Sequence, residues 1–140
     1  MYRVIIDTNI LLDALMPGRP FRAEALEVIK RCSGYEGVGD LGFVSPMSLK
    51  DSYYIMEREY DESRARQAIS LIMDMLATAP ISVEECDLAV KSNEPDFEDG
   101  LVRAIAELND MDFIITRDAK AFARSKVRSV NAVEYLEIVG

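Results

Sequence analysis

The sequence of 140 residues has no histidine and no tryptophan, and it contains only two cysteines. Without histidine, the chain cannot use Ser-His-Asp or Cys-His catalysis, a His-Cys zinc site, or a ribonuclease mechanism that moves protons through imidazole. Any chemistry must therefore depend on carboxylates, lysines, hydroxyl groups or a metal ion.

Basic residues are also scarce, because 16 Lys and Arg stand against 25 Asp and Glu, which gives a net charge of -9. A chain this acidic does not bind nucleic acid through a general basic surface. It is compatible with a nucleic-acid enzyme whose acidic site is neutralised by a metal ion. The negative charge is concentrated between residues 84 and 112, which include ten acidic residues and two basic ones.

Long hydrophobic runs are absent, and Cys32 and Cys86 stand alone without Cys-x-x-Cys spacing. The apolar run near the N-terminus ends at Asp7, which makes it too short for a signal-peptide core, and no stretch approaches membrane-spanning length. Solitary cysteines are typical of reduced thiols in a cytosol, with a disulfide between them as the alternative. We expect a soluble cytoplasmic protein without a membrane segment, folded as one domain over residues 1–140.

Short β-branched runs alternate with helical apolar spacing along the chain. Strands are predicted at residues 3–6, 42–44, 81–83, 113–116 and 127–130. Gly37, Gly39 and Gly42 predict a loop that leads into the second strand. Helices are predicted after Asp7-Thr8-Asn9, from Pro20 to near Gly34, and at residues 46–60, 61–77, 84–94, 97–108 and 132–139. This alternation favours an α/β fold with three α/β/α layers and a central, mostly parallel sheet.

Four aspartates are predicted to gather at one edge of this sheet. Asp7 follows the first strand and Asp118 follows the strand at 113–116, and ligand sites of open parallel sheets lie beyond the carboxyl ends of the strands. Asp99 lies in the first turn of a later helix, and Asp51 lies about one and a half turns into the helix after residue 44. Each aspartate alone could cap a helix or form an Asx turn, but capping does not explain acids after both of the clearest strands.

A cluster of carboxylates is unstable unless something neutralises it. Two unit charges about 4 Å apart repel by roughly 4 kcal/mol at a surface-like dielectric constant. Such a pocket therefore needs protonation or a hard cation, and Mg²⁺ and Mn²⁺ prefer oxygen ligands. The four aspartates thus predict a magnesium or manganese site.

The run Ile5-Ile6-Asp7-Thr8-Asn9-Ile10-Leu11-Leu12-Asp13 resembles the opening of PIN domains, a family of metal-dependent nucleases that includes the VapC-type toxins of toxin–antitoxin pairs. Further segments resemble the family in the same order, at residues 45–54, Asp99-Gly100-Leu101, Thr116-Arg117-Asp118 with Phe122, and residues 130–136. The resemblance covers nearly the whole chain and implies a PIN-like fold.

The resemblance also implies roles for individual residues. The catalytic acids that it implies are Asp7, Asp51, Asp99 and Asp118, and the metal ligands among them are Asp7, Asp99 and Asp118. Thr8 and Asn9 match polar residues that orient the first acid in the family, and Thr116 matches the residue that supports the end of the last strand. The family commonly has Glu where Asp51 stands, so the shorter side chain requires either a closer backbone or a bridging water.

The function implied by the resemblance is hydrolysis of RNA phosphodiester bonds at a Mg²⁺ or Mn²⁺ site, which leaves a 5′-phosphate and a 3′-hydroxyl. The implied partners are an RNA substrate, a small antitoxin protein and a second copy of the chain in a homodimer. The alternative is a PIN-like module that binds RNA or a protein without cleaving, and the shortened Asp51 keeps this alternative open.

Two groups of residues are candidates for contact with RNA. The main basic concentration consists of Arg117, Lys120, Arg124, Lys126 and Arg128. These residues either hold flanking phosphates or form a solvated helix face. Tyr53, Tyr54 and Phe122 either stack on bases or pack in the core, and their helical spacing favours the core.

Overall fold

A five-stranded parallel sheet forms the centre of the computed structural model, which describes residues 1–34 and 39–140. The strands are β1 (Arg3–Ile6), β2 (Leu41–Val44), β3 (Ala77–Thr78), β4 (Phe113–Ile115) and β5 (Arg128–Val130). They lie in the order β3-β2-β1-β4-β5, and each neighbouring pair is parallel. The α/β fold with a parallel central sheet is thereby confirmed. β1 lies beside β4 with Ile6 opposite Ile115, so the carboxyl ends of these two strands meet at one edge.

Seven α-helices flank the sheet in the described parts of the chain. They are α1 (Thr8–Leu15), α2 (Arg22–Cys32), α3 (Pro46–Glu59), α4 (Glu62–Met75), α5 (Val83–Lys91), α6 (Phe97–Leu108) and α7 (Ala132–Val139), and a 3₁₀ helix spans Ala119–Phe122. Five helix starts are fixed by a side chain that accepts a hydrogen bond from a backbone N–H of the first turn, namely Asp7, Ser45, Asp61, Asp96 and Asn131. Within residues 1–34 and 39–140, no helix is both long enough and apolar enough to cross a bilayer.

Alternate residues of β1 face opposite sides of the sheet, and each side packs against helices. Val4 and Ile6 belong to a cluster that contains residues of α1, α2 and α7, including the fully buried Tyr135. Ile5 belongs to a second cluster with Ile114 and residues of α6. Because β1 is buried on both faces, its sequence is an unbroken apolar run, and the helices form a layer on each side.

The prediction of a strand at residues 81–83 is wrong. Ser82 instead caps α5, in a capping box in which the Ser82 N–H donates to the Glu85 carboxylate at 2.9 Å. The strand in this region lies earlier, as the two-residue β3, whose Ala77 pairs with Phe43 of β2. The preceding helix α4 accordingly ends at Met75, before its predicted end at residue 77.

Helix α2 differs from its prediction at its start. It begins at Arg22, because Pro20 lies in the preceding turn. Phe21 and Leu26 are apolar but lie outside the buried face, with exposed fractions of 45% and 42%. The buried face of the helix consists of Ala25, Val28, Ile29 and Cys32.

Gly42 lies within β2, in agreement with the strand predicted at residues 42–44, and β2 begins one residue earlier, at Leu41. A Cβ atom at this position would lie 2.7 Å from the Cβ of Cys32 and 2.9 Å from a methyl carbon of Leu76. The close approach of β2 to these side chains therefore requires glycine. The predicted loop residue Gly37 lies outside the described residues.

A buried polar network lies at the opposite end of the sheet, where the strands begin. Asp40 accepts hydrogen bonds from the Tyr135 hydroxyl, from the Tyr2 N–H at 2.8 Å and from Arg31 Nε at 3.3 Å. Burial raises the pKa of Asp40, but these hydrogen bonds outweigh burial and leave the pKa below its ordinary value of 3.8. The ionised carboxylate therefore ties β2 to α2 and α7.

Replacing Tyr135 by Phe is expected to lower the free energy of unfolding by about 1.5–3 kcal/mol at pH 7, because a hydrogen bond to a buried charged group is lost. A carboxylate with a depressed pKa stabilises the fold above its unfolded pKa and loses that effect as the pH falls through its folded pKa. The difference between wild type and Tyr135→Phe should therefore shrink below about pH 4. Urea unfolding at pH 7 and pH 3 measures it. Tyr54→Phe, at a side chain that is 55% exposed, is the control, and equal midpoints for both variants at pH 7 would contradict the expectation.

Candidate carboxylate site

Asp7 lies at the junction of β1 and α1. Its backbone N–H donates to the Ile115 carbonyl at 2.9 Å, which extends the pairing of β1 with β4 by one residue. Its carboxylate caps α1 by accepting from the Thr8 N–H at 2.9 Å through Oδ1, and it accepts from the Thr116 hydroxyl at 2.9 Å through Oδ2. Asp7 is therefore both a helix cap and a half-buried carboxylate held at the carboxyl edge of the sheet.

Thr116 connects the residues that follow β1 with those that follow β4. Its side chain is fully buried, and its hydroxyl donates to Asp7 while accepting from the Asp118 N–H at 3.0 Å and from Asn9 Nδ2 at 3.4 Å. Asn9 Oδ1 in turn accepts from the Arg117 N–H at 3.1 Å. The polar residues around the first acid thus form one hydrogen-bonded unit with the end of β4.

Asp118 and Asp99 reach the same edge from different elements. Asp118 caps the 3₁₀ helix by accepting from the Ala121 N–H at 3.3 Å. Asp99 lies in the first turn of α6, and its N–H donates at 3.2 Å to Asp96, which is the residue that caps this helix. Since Asp96 provides the cap, the carboxylate of Asp99 is not needed to begin the helix.

The electrostatics place these aspartates within reach of one another. Burial is the main cause that raises the pKa of Asp99 to about 6, and the negative charges of Asp96, Asp7, Asp118 and Glu94 account for the rest of the increase. Burial also raises the pKa of Asp7, with further contributions from Asp118 and Asp51, although the hydrogen bonds from Thr116 and Thr8 oppose the increase. Asp7 and Asp99 therefore lie in surroundings that disfavour their negative charge, and the charges of Asp118 and, for Asp7, Asp51 contribute to this effect.

Asp51 has a partner that the sequence did not predict. Its side chain is hydrogen bonded to Glu98, and its Oδ1 lies 3.4 Å from Lys50 Nζ. This hydrogen bond, together with burial and the charge of Asp51, raises the pKa of Glu98 to about 7, because the neighbouring carboxylate favours the protonated form of Glu98. The acidity of the first turn of α6 was a signal for Glu98, but acids are common at helix starts for electrostatic reasons.

Two of the predicted basic contacts are already engaged in ion pairs. Arg117 Nε lies 3.1 Å from Oδ2 of the fully buried Asp13, and Arg124 Nη1 lies 3.5 Å from Glu94 Oε2. Lys120 lies in the 3₁₀ helix, two residues after Asp118, and has no ion pair with any residue that the structure describes. Among the aromatic candidates, Phe122 is 1% exposed and packs in the core.

The donor set suits a hard divalent cation, although the side chains are not drawn together around a common point. Within residues 1–34 and 39–140, no three His, Cys, Asp or Glu side chains form a ready-made group of metal ligands. The candidates nevertheless supply only carboxylate oxygens, and the raised pKa values of Asp7 and Asp99 show that negative charge is poorly neutralised there. Mg²⁺ and Mn²⁺ fit this donor chemistry, because they prefer oxygen ligands and would offset the repulsion.

Comparisons with known proteins agree with this architecture. A family model described as PIN domain matches residues 3–120. No curated protein sequence matches the chain. Similar solved structures include VapC20 from Mycobacterium tuberculosis, described as a toxin that cleaves the sarcin–ricin loop, at 13% identity and a TM-score of 0.67, covering 86% of this chain and 93% of that one.

Two further structures are described as toxin–antitoxin or VapBC proteins. A toxin–antitoxin complex from Klebsiella pneumoniae has 23% identity and a TM-score of 0.67, covering 92% of this chain and 97% of that one. VapBC-1 from nontypeable Haemophilus influenzae has 16% identity and a TM-score of 0.66, covering 94% and 98%. At these identities the likeness shows a shared fold.

Proposed function

This chain belongs to the PIN-domain family, and from that premise we propose that it is a metal-dependent endoribonuclease that acts in the cytoplasm as the toxin of a toxin–antitoxin pair. The observation that carries the proposal is the position of Asp7, Asp99 and Asp118 at the carboxyl edge of the sheet, where burial and neighbouring charges raise the pKa of Asp99 to about 6. A group of partly buried acids that repel one another is costly for the fold, and such costs are typical of functional sites.

We propose that Asp7, Asp99 and Asp118 hold Mg²⁺ or Mn²⁺ and that Asp51 acts as the fourth acid, beside Glu98. The chemistry that Mg²⁺ or Mn²⁺ supplies at such a site is neutralisation of the scissile phosphate and activation of water. Thr116 and the Thr8 N–H fix the two oxygens of Asp7, and Asn9 links Asp7 to the backbone after β4. The function of these contacts is to orient carboxylates before RNA arrives.

The proposed partners follow from the family and from charge. The toxin–antitoxin complex from Klebsiella pneumoniae and VapBC-1 from Haemophilus influenzae support a small antitoxin as a partner, and we propose a homodimer of this chain as well. Residues 84–112 contain ten acidic and two basic residues, and they include all of α6 and all of α5 except its first residue. A basic segment of the antitoxin would complement this acidic region.

Metal addition tests the proposed function through two measurements on the same preparation. Wild-type protein is incubated with a mixed RNA pool in EDTA, Mg²⁺ or Mn²⁺, and we expect cleavage only with metal. Thermal unfolding should show stabilisation by about 2.7 kcal/mol at a metal concentration 100 times the Kd, because the ion binds the native state. Asp118→Asn should lose this stabilisation while keeping an oxygen that can cap the 3₁₀ helix.

The combined outcomes separate the nuclease from the alternative function. Metal stabilisation without cleavage of any RNA in the pool would favour a PIN-like module that binds RNA or a protein. Absence of both effects would refute the proposed metal site. Asp87→Asn, at an exposed ion pair with Lys91 on α5, is the matched control and should behave as wild type.

A further inference from the structure

A cavity of about 180 Å³ lies next to the carboxylate site, on the side of the sheet covered by α1, α2 and α7. Its lining consists of Ile10, Phe21, Arg117, Asn131, Ala132 and Val133. Phe21 is 45% exposed and Val133 is 39% exposed, although both are apolar. The walls therefore present an aromatic ring and aliphatic side chains to solvent at the mouth of the cavity.

The cavity is connected to the proposed site through the backbone. Arg117 lies between Thr116 and Asp118, and its N–H donates to Asn9 Oδ1 at 3.1 Å. Asn9 Nδ2 lies 3.5 Å from Oδ2 of Asp7. Arg117, which follows β4, therefore lines the cavity, and its neighbours Thr116 and Asp118 belong to the carboxylate site.

The buried Asp13 holds the Arg117 side chain in place through an ion pair. Asp13 is fully buried, and neither of its carboxylate oxygens accepts a hydrogen bond from the described residues. Its charge is balanced by Arg117 Nε at 3.1 Å and by Arg19 Nη1 at 3.8 Å. The terminal nitrogens of the Arg117 side chain, which is 39% exposed, donate no hydrogen bond to any described residue.

Asn131 supplies a second donor to the cavity. Its Oδ1 caps α7 by accepting from the Glu134 N–H at 2.8 Å, and this contact leaves the two hydrogens on Nδ2 available. The cavity thus combines an aromatic ring with hydrogen-bond donors from Arg117 and Asn131. Its lining contains no carboxylate that could accept from a ligand.

We propose that this cavity binds one base of the RNA strand next to the scissile phosphate, with a preference for guanine; the inference rests on the proposed nuclease function. Phe21 stacks on the base, as aromatic side chains do with unpaired bases of single-stranded RNA. The donors of Arg117 and Asn131 match O6 and N7 of guanine, which are both acceptors, whereas adenine presents a donor at N6.

Cleavage of short single-stranded RNAs that carry one guanosine or one adenosine in a uridine background tests this inference. We expect wild type to cleave the guanosine strand at least about fivefold faster. Asn131→Asp keeps the cap of α7 but replaces the donor with an acceptor, so it should remove the preference. Phe21→Ala should slow cleavage of both strands at least about fivefold at low substrate concentration. Leu26→Ala is the control, because Leu26 is exposed on α2, which begins directly after Phe21, but does not line the cavity.

Failure of this inference is distinguishable from failure of the proposed function. Metal-dependent cleavage without guanosine preference, or with Phe21→Ala equal to Leu26→Ala, would overturn the base site and leave the nuclease in place. If no RNA is cleaved, an NMR titration with 5′-GMP, 5′-AMP and 5′-UMP tests whether the cavity binds guanine. Selective shifts of the Phe21 and Asn131 signals with 5′-GMP would support the inference, and equal or absent shifts with the three nucleotides would contradict it. Shifts that follow protein concentration alone would show that a second copy covers this face, which would contradict the inference.

Discussion

Replacing Asp99 by Asn is expected to reduce RNA cleavage by more than about 100-fold, because loss of residues that only support a metal ligand already costs 10- to 100-fold. The same change is expected to stabilise the protein in EDTA at pH 7.5. Burial and the charges of neighbouring acids raise the pKa of Asp99 to about 6, so its ionised form destabilises the native state. Asparagine has a similar shape and carries no charge.

The sign of this stability effect depends on pH. Because the folded pKa of Asp99 lies above its ordinary value of 3.8, the native state binds this proton more tightly than the unfolded state. Stability is therefore lost as the pH rises from about 4 to about 6. The advantage of Asp99→Asn should be full above pH 6 and should disappear below pH 4. Thermal unfolding in EDTA across this range measures it.

Two controls make the Asp99→Asn result specific. Asp87→Asn removes a charge from an exposed ion pair on α5, and it should change neither cleavage nor stability by much. Asp7→Asn should also abolish cleavage, but it should stabilise less, because the Asp7 carboxylate accepts hydrogen bonds from Thr8 and Thr116. Cleavage by Asp99→Asn at the wild-type rate would refute its catalytic role, and easier unfolding in EDTA at pH 7.5 would refute the charge repulsion.

The parts of the fold that the sequence predicted well are those with strong local signals. Helix α6 occupies Phe97–Leu108 as predicted, since Asp96 caps its start and an apolar face follows. β1 occupies Arg3–Ile6 because four β-branched or long residues precede a helix cap. In contrast, β3 has two residues and exists through its pairing with β2, so no local pattern indicated it.

The residues of the candidate site likewise differ in whether a local sequence signal could predict their position. Asp7 and Asp118 could be predicted together, because parallel strands end at one edge and β1 pairs with β4. The Asp51–Glu98 pair could not be predicted, because it is a contact between α3 and α6 that depends on how the helices pack. The ion pair of Arg117 with the buried Asp13 also depends on tertiary packing and was not predicted. It fixes a side chain for which the sequence had left two roles open, a phosphate contact or part of a solvated helix face.

Thr116→Val is expected to lower metal affinity or cleavage by about 10- to 100-fold, although Thr116 is not proposed to touch the metal. Valine preserves the shape of this fully buried side chain but removes the hydroxyl. The change leaves Asp7 Oδ2 without the Thr116 donor and the Asp118 N–H without its acceptor. Both proposed ligands would then lose the contact that orients them relative to each other. The midpoint of Mn²⁺-dependent thermal stabilisation and the cleavage rate measure the effect.

Thr116→Ser separates orientation from packing, because it keeps the hydroxyl and removes only a buried methyl group. The loss of that methyl should cost about 1 kcal/mol of stability, with metal affinity and cleavage close to wild type. Thr116→Val should show the reverse pattern, with cleavage reduced far more than its unfolding midpoint suggests. Equal losses of cleavage in the two variants would mean that Thr116 contributes through core packing, and the hydrogen bond to Asp7 would then have no separate part in the site.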